Sequence, residues 1–250
     1  MTMEHEALLR RAEDLLLRCE RSGGAVAGVF LTPAEQAALE QHFKYRTDCR
    51  MIFFGGLPDS ERRVPFFLPD WMDETAFEPA DYLRALRITA YYGTPGHRDY
   101  LGALLARGVR REWVGDLLIS GQNAWVFCLP TVAEELAGLE QVGRVNVKAE
   151  TVPIGEVPVP EKQRRRVSFT VQSPRLDAVL AETFRLSRAA AVRQIAAGFA
   201  NLNHLPCLKP DAAVHEGDVL SLKGAGKAEI TEIGGESRKG RTFVKAEIYL

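Results

Sequence analysis

The residues of this sequence best suited to chemistry are arginines, and the chemistry they suit is the binding of an anion. In "RLSRAAAVRQIAAG", residues 185–198, Ser187 is of the type that caps a helix and Arg188 opens the helix that follows. A cation at that point opposes the helix macrodipole, which favours negative charge at a helix start. The opposition disappears once a phosphate occupies the free N–H groups beside the guanidinium. Arg175, Arg185, Ser187 and Arg188 therefore read as an anion-binding set, which Lys209, Lys223, Arg238, Lys239 and Arg241 extend through the same C-terminal part of the chain. The plain alternative is that Arg188 pairs with Asp177 or Glu182. Arg193, about 140° round the helix from Arg188, reads as merely solvated.

No catalytic constellation accompanies these cations. His97-Arg98-Asp99 has the letters of a kinase catalytic loop, but Leu104 stands where that loop needs asparagine. "GAGKA" (224–228) is not a phosphate loop, because Ser221 replaces its first glycine and Ala228 its Ser/Thr. "RLD" (175–177) also occurs in pseudouridine synthases, but Pro174 replaces the preceding glycine and the following residues are helical. There is no dinucleotide fingerprint of the kind a methyltransferase would carry. The four cysteines and five histidines are scattered without ligand spacing, so neither a metal site nor a cofactor is expected.

Charge is distributed unevenly over the 250 residues. Residues 161–250 hold 15 Lys+Arg and 10 Asp+Glu, a balance of +5, whereas residues 1–160 hold 17 and 23, a balance of −6. That asymmetry points the C-terminal part toward a polyanion. No stretch approaches the roughly 20 apolar residues of a membrane span. The first residues carry charges throughout and lack the apolar run of a secretory signal. A monomer in the reducing cytoplasm, with no membrane partner, is the expectation.

The elements that must position the candidates follow from periodicity and punctuation. Leu8, Leu15, Leu16 and Cys19 form one stripe of an opening helix that Gly23-Gly24 ends. Thr32, Pro33 and Glu35 start a second helix, and "CRMIFFGG" and "RRVPFFLPDW" read as strands. Residues 1–85 thus form a small α/β unit. Residues 86–151 read β-α-β-β-α-β, the ferredoxin-like order shared by RNA-recognition modules. Trp125 and Phe127 share one strand face, and Ala124, Val126 and Cys128 the other. With the small residues under the helices, the aromatics would lie on an open face suited to base stacking. His97, Arg98, Arg110 and Arg111 would flank that second RNA face, the alternative being a structural role for the whole segment. "TVPIGEVPVPEKQRRRVSF" holds prolines and a charged run, which places a linker at 152–168.

Residues 169–250 are the most specific part. Ser173-Pro174 is expected to start the helix "RLDAVLAETF", with Leu176, Val179, Leu180 and Thr183 on one side. A break at Arg185-Leu186 leads to the helix capped by Ser187, and short strands then close in a hairpin around "GGESRKG". The ordered series "RLD", "LSR", "G-x-x-x-x-N" and "EGD" resembles the αL RNA-binding fold of bacterial small-subunit ribosomal protein four. The expected architecture is therefore an α+β multidomain chain ending in an αL domain with a terminal β-hairpin.

A second resemblance spans most of the chain. "GHRDYLGALLARGVRREWVGDLLIS" is similar to H-R-D-x-L-G-A-L-x-x-L-G-I-x-R-x-x-I-G-D-I of the YlmH family. It matches through His97, Arg98, Asp99, Leu101, Gly102, Ala103, Leu104, Gly108, Arg111, Gly115 and Asp116. The tail "GRTFVKAEIYL" extends the likeness. The resemblance implies a non-enzymatic binder of structured RNA: large-subunit ribosomal RNA with peptidyl-tRNA, in rescue or quality control of stalled translation on the ribosome. It also implies a link to cell division. The alternatives are an RNA-modifying enzyme of pseudouridine synthase or methyltransferase type that uses the αL domain for targeting, and a cell-division-linked scaffold.

Overall fold

The computed structural model describes residues 3–46, 50–72, 77–159, 164–236 and 240–249. The chain divides into two compact units, residues 1–160 and 161–250.

The first unit begins with α1 (Met3–Ser22), β1 (Val26–Ala27), α2 (Pro33–Phe43), β2 (Arg50–Phe54) and β3 (Val64–Leu68). Gly23, at φ +64°, ends α1 in the left-handed conformation that a residue with a side chain adopts at a cost. The Thr32 hydroxyl accepts the Glu35 N–H while the Glu35 carboxylate accepts the Thr32 N–H, so both ends of this capping box are made. The three strands form an antiparallel sheet in the order β1-β3-β2. β3 is buried along its whole length because it separates two cores. Phe67 packs with Ala12, Leu16, Leu39 and Phe43 of the helices, while Val64, Phe66 and Leu68 pack on the opposite side.

That opposite side meets a second sheet. Its elements are β4 (Arg84–Ala90), α3 (His97–Ala106), β5 (Val114–Ser120), β6 (Asn123–Cys128), α4 (Pro130–Ala137), β7 (Gln141–Val142) and β8 (Val145–Val152). The strands run antiparallel in the order β5-β6-β4-β8-β7. Leu86, Ile88, Ala124, Val126, Cys128 and Val147 face a core completed by Tyr100 and Leu104 of α3 and Val132 and Leu136 of α4. Burial there pushes the Cys128 thiol up to about 12, so it packs as a small hydrophobe and is inert at neutral pH.

The face without helices is not open along its whole length. Phe127, 0% exposed, packs with Ala85 and Val152 against Phe30 and against Val64, Phe66 and Leu68 of β3, and Trp125 is half-buried against the same cluster. The expectation that Trp125 and Phe127 offer a stacking face is corrected accordingly. Strand alternation separates the two faces of a sheet but does not say what covers each. Gly56, at φ +104°, shows how close the layers come: a Cβ there would lie 2.2 Å from the Phe127 ring.

The second unit holds β9 (Arg164–Val171), α5 (Leu176–Thr183), α6 (Arg188–Ala196), β10 (Ala200–Leu202), β11 (Leu205–Pro206), β12 (Val219–Leu222), β13 (Gly226–Glu236) and β14 (Thr242–Tyr249). Its sheet runs β11-β10-β12-β13-β14-β9. Residues 164–168, expected in the linker, belong to β9, which pairs with β14 from Arg164↔Tyr249 to Val171↔Thr242. The arginines of β9 do not prevent this, because an edge strand keeps one face in water while Val167, Phe169 and Val171 turn to the core. Arg238 and Lys239, between β13 and β14 in sequence, lie outside the described residues.

Candidate nucleic-acid interface

In the second unit, α5 buries Leu176, Val179, Leu180 and Thr183, and α6 contributes Ala191 and Ile195 to the same core. The small side chains of Ala178, Ala181 and Ala191 let the two short helices pack closely. Helix α5 starts two residues later than Ser173-Pro174 suggests, at an N-cap formed by Arg175. The reason is a neighbouring loop. The Leu176 and Asp177 N–H groups donate to the carbonyls of Ala212 and Pro210, both at 2.9 Å, so carbonyls distant in sequence satisfy the first turn in place of Ser173.

This start holds Asp177 where it is most useful. Its side chain is 4% exposed, and its Oδ1 accepts the Ala178 N–H at 2.9 Å and the Arg175 Nε at 3.3 Å. Its Oδ2 accepts the Arg188 Nε at 3.1 Å. The two arginine side chains remain 41% and 56% exposed. Arg188 therefore makes the pairing weighed as the plain alternative, yet keeps both of its terminal nitrogens free of it. One buried carboxylate orients both guanidiniums, engaging Nε and one terminal nitrogen of Arg175 but only Nε of Arg188, whose fork is left suited to bidentate contact with phosphate.

Around this pair, Ser187 caps α6 by accepting the Ala190 N–H at 3.1 Å. Arg185 is exposed and adopts φ +55°, one residue past the cap of α5, and the Leu186 N–H donates to the Ala181 carbonyl at 2.8 Å. Arg185 thus occupies the left-handed position of a Schellman turn, where glycine is usual. A groove of about 500 Å³ is lined by Gln172, Glu182, Leu186, Arg188 and Arg241 among others. Arg241 is anchored there by donating to the Thr170 carbonyl at 2.6 Å. Lys209 is exposed and adjoins Pro210, whose carbonyl caps Asp177. Lys223 is not part of this cluster. It lies over the Phe199 ring at 5.1 Å, past the far end of α6 and so about 14 Å of helix from Arg188. Arg193 is exposed.

In the first unit the expected second face separates into exposed and structural residues. His97 and Arg98 are exposed in the first turn of α3, where the Asp99 carboxylate accepts the Gly96 N–H at 2.8 Å. Arg110 is exposed, lies over Trp113 at 5.1 Å and pairs with Glu112 at 3.7 Å. Arg111 points inward and donates to the carbonyls of Val114 and Gly115, which corrects its reading as an RNA contact. Burial and the neighbouring Arg62 both push its pKa down.

The remaining motif residues serve the same joint. Asp116 accepts the N–H groups of Glu61 at 2.6 Å and Arg62 at 3.0 Å, and Arg62 donates to the carbonyls of Phe30 at 2.9 Å and Val114 at 3.3 Å. A Cβ on Gly115 would come within 2.5 Å of the Phe30 ring. Gly115 and Asp116 therefore join the first layer to the second, while Arg111 braces the start of its own strand. Spacing alone carries no sign of the Asp116 contacts, since its partners lie 55 and 54 residues away.

Residues 83–156 match a family described as "Putative RNA-binding domain in YlmH". The sheet from β4 to β8 with its helices is thus a domain of that class. A protein of Bacillus subtilis (strain 168) named "Ribosome-associated protein quality control protein P2" is 29% identical over 221 residues, spanning 87% of this chain and 85% of that protein. A solved structure titled "Cell division protein ylmH from Streptococcus pneumoniae" superposes with a TM-score of 0.53 at 20% identity, covering 62% of this chain and 95% of that one. Residues 83–156 thus carry the YlmH-type domain, and most of the chain is similar to a protein of that kind.

Proposed function

We propose that this protein is a cytoplasmic, non-enzymatic binder of structured RNA that acts on the ribosome. Its target is large-subunit ribosomal RNA with peptidyl-tRNA close by, and its role is quality control of stalled translation. In this reading residues 169–250 are an αL domain and residues 86–151 a ferredoxin-like RNA-binding domain. The observation that carries the reading is the pair of half-exposed arginines, Arg175 and Arg188, oriented by the buried carboxylate of Asp177. A phosphate at the start of α6 would meet the free amides of Arg188 and Ala189 together with the guanidiniums. The name of the Bacillus subtilis relative, which associates that protein with the ribosome, supports the same reading. A catalytic role for Asp177 is disfavoured because both its oxygens are engaged, by two guanidiniums and a backbone N–H.

The test is co-sedimentation with purified large ribosomal subunits across a salt series. If about four phosphates are neutralised, log affinity against log salt has a slope of roughly −3 to −4. Arg188→Ala should weaken binding and flatten that slope by about one unit. A slope indifferent to changes at Arg175, Arg185 and Arg188 would remove this face from the interface.

A further inference from the structure

With Phe127 sealed between two sheets, the aromatic side chains of the middle domain can be sorted by what they touch. Residues 83–156 hold six Phe, Tyr or Trp residues. Tyr100 and Phe127 are fully buried, and Trp113 and Trp125 are half-buried against the two cores. Tyr91 and Tyr92 alone are exposed, at 65% and 53%.

Their placement is defined by the sheet. Ala90 pairs with Val147 and is buried beneath the helices, and the ladder continues through the Tyr91 N–H, which donates to the Asn146 carbonyl at 3.1 Å. Alternation then places Tyr91 on the helix-free side with Arg87 and Thr89, and with Asn146, Lys148 and Glu150 of β8. This is the end of the face that the first sheet leaves uncovered, since the covered end is built from Ala85, Phe127 and Val152. Tyr92 is pinned by its hydroxyl, which donates to the Arg144 carbonyl at 2.9 Å. The Tyr92 ring is therefore fixed in water through its hydroxyl and has less freedom left to lose on binding, while the ladder fixes the Tyr91 backbone.

The surrounding charge is positive. Glu150 lies between Arg87 and Lys148 and so matches one of two cations. Arg98 and Arg144 are exposed and form no ion pair among the described residues. α3, which begins with His97 and Arg98, packs against β7, the strand joined to β8 by the turn containing Arg144. Exposed rings set among unpaired cations suit unpaired bases with their phosphates, because every base offers a π-face and the backbone is anionic.

We propose that Tyr91 and Tyr92 form a stacking platform for unpaired RNA bases at the uncovered end of the middle sheet, with Arg98, Arg144 and Lys148 meeting the adjacent phosphates. This rests on the RNA-binding reading above and adds to it a site for single-stranded RNA, separate from the arginine pair of α5 and α6.

The test uses the full chain and two probes: a fluorescein-labelled RNA hairpin with an adenosine-rich loop, and the same stem as a blunt duplex. Tyr91→Ala/Tyr92→Ala should weaken hairpin binding by roughly thirtyfold, from two lost stacks at the low end of the usual range. Duplex binding and its salt slope should stay as in the wild type, and Tyr91→Phe alone, which keeps the ring and leaves the Tyr92 hydroxyl anchor in place, should bind the hairpin as the wild type does. Circular dichroism checks that each variant is folded. Unchanged hairpin affinity in the alanine pair overturns the platform and leaves the RNA reading standing. So does retained hairpin affinity with loss of co-sedimentation on large subunits, which would assign the rings to a protein partner. Failure of the wild-type chain to bind either RNA overturns both.

Discussion

Asp177 shows how one side chain can serve two others. A carboxylate out of water is costly unless its oxygens are occupied, and here Arg175, Arg188 and the Ala178 N–H occupy them. The arginine side chains, about half exposed, gain orientation while keeping part of their hydration. Arg185 shows the opposite economy. A non-glycine residue at φ +55° costs about 1 kcal/mol or more, and the exposed Arg185 side chain makes no hydrogen bond or ion pair among the described residues. Strain kept at an exposed cation motivates a role in binding. Arg185→Gly should raise stability by about 1 kcal/mol, less the added freedom of the unfolded chain, while lowering RNA affinity. Urea melts and an RNA titration of the same preparation separate the two effects. A variant that is stabilised and binds as tightly as the wild type would show that Arg185 is not a contact.

At the scale of elements, the joint between the two sheets of the first unit depends on Asp116. Burial raises its pKa above the ordinary 3.8, against the opposing effects of two backbone N–H bonds and Arg62. The folded state therefore holds this proton more tightly than the unfolded chain does. The contribution is complete below 3.8 and is lost as pH rises through the raised folded value. The stability of the wild type relative to Asp116→Asn should accordingly increase as pH falls from 7 toward 4. Thermal melts of both proteins at matched pH check the sign, and a gap that shrinks on acidification would contradict it. The same joint explains why "REWVGD" carries so specific a pattern. Arg111 holds carbonyls, Gly115 makes room for Phe30, and Asp116 binds the loop that follows β2.

Across the whole molecule, two units with separate cores predict two unfolding steps. Leu180, 0% exposed in the second unit, and Leu136, 0% exposed in the first, are suitable probes. Leu180→Ala should lower only the transition of residues 161–250, by about 2–5 kcal/mol, and Leu136→Ala only that of residues 1–160. Calorimetry of the full chain reads both. A single transition moved by either change would mean that the units unfold together. The charge division of +5 against −6 follows the same boundary, so salt should affect RNA binding chiefly through the second unit.

What the sequence determined by itself is local. Caps such as Thr32 with Glu35 and Ser187, turns such as Gly23, the alternation along β6 and the arginines at the start of α6 all depend on neighbours a few residues away. Their interactions are readable from spacing. Arg188 was legible as both an anion contact and a partner of Asp177, because the two are compatible on one guanidinium. The tertiary structure alone decided what each face meets. Phe127 and Tyr91 both belong to the helix-free side of one sheet, yet the first is sealed by Phe30, Val64 and Phe66 and the second is left in water. Period-two patterning is the same in both cases. Coverage depends on a layer built from residues 26–68, far away in the chain, and burial is a property of that packing, not of the strand.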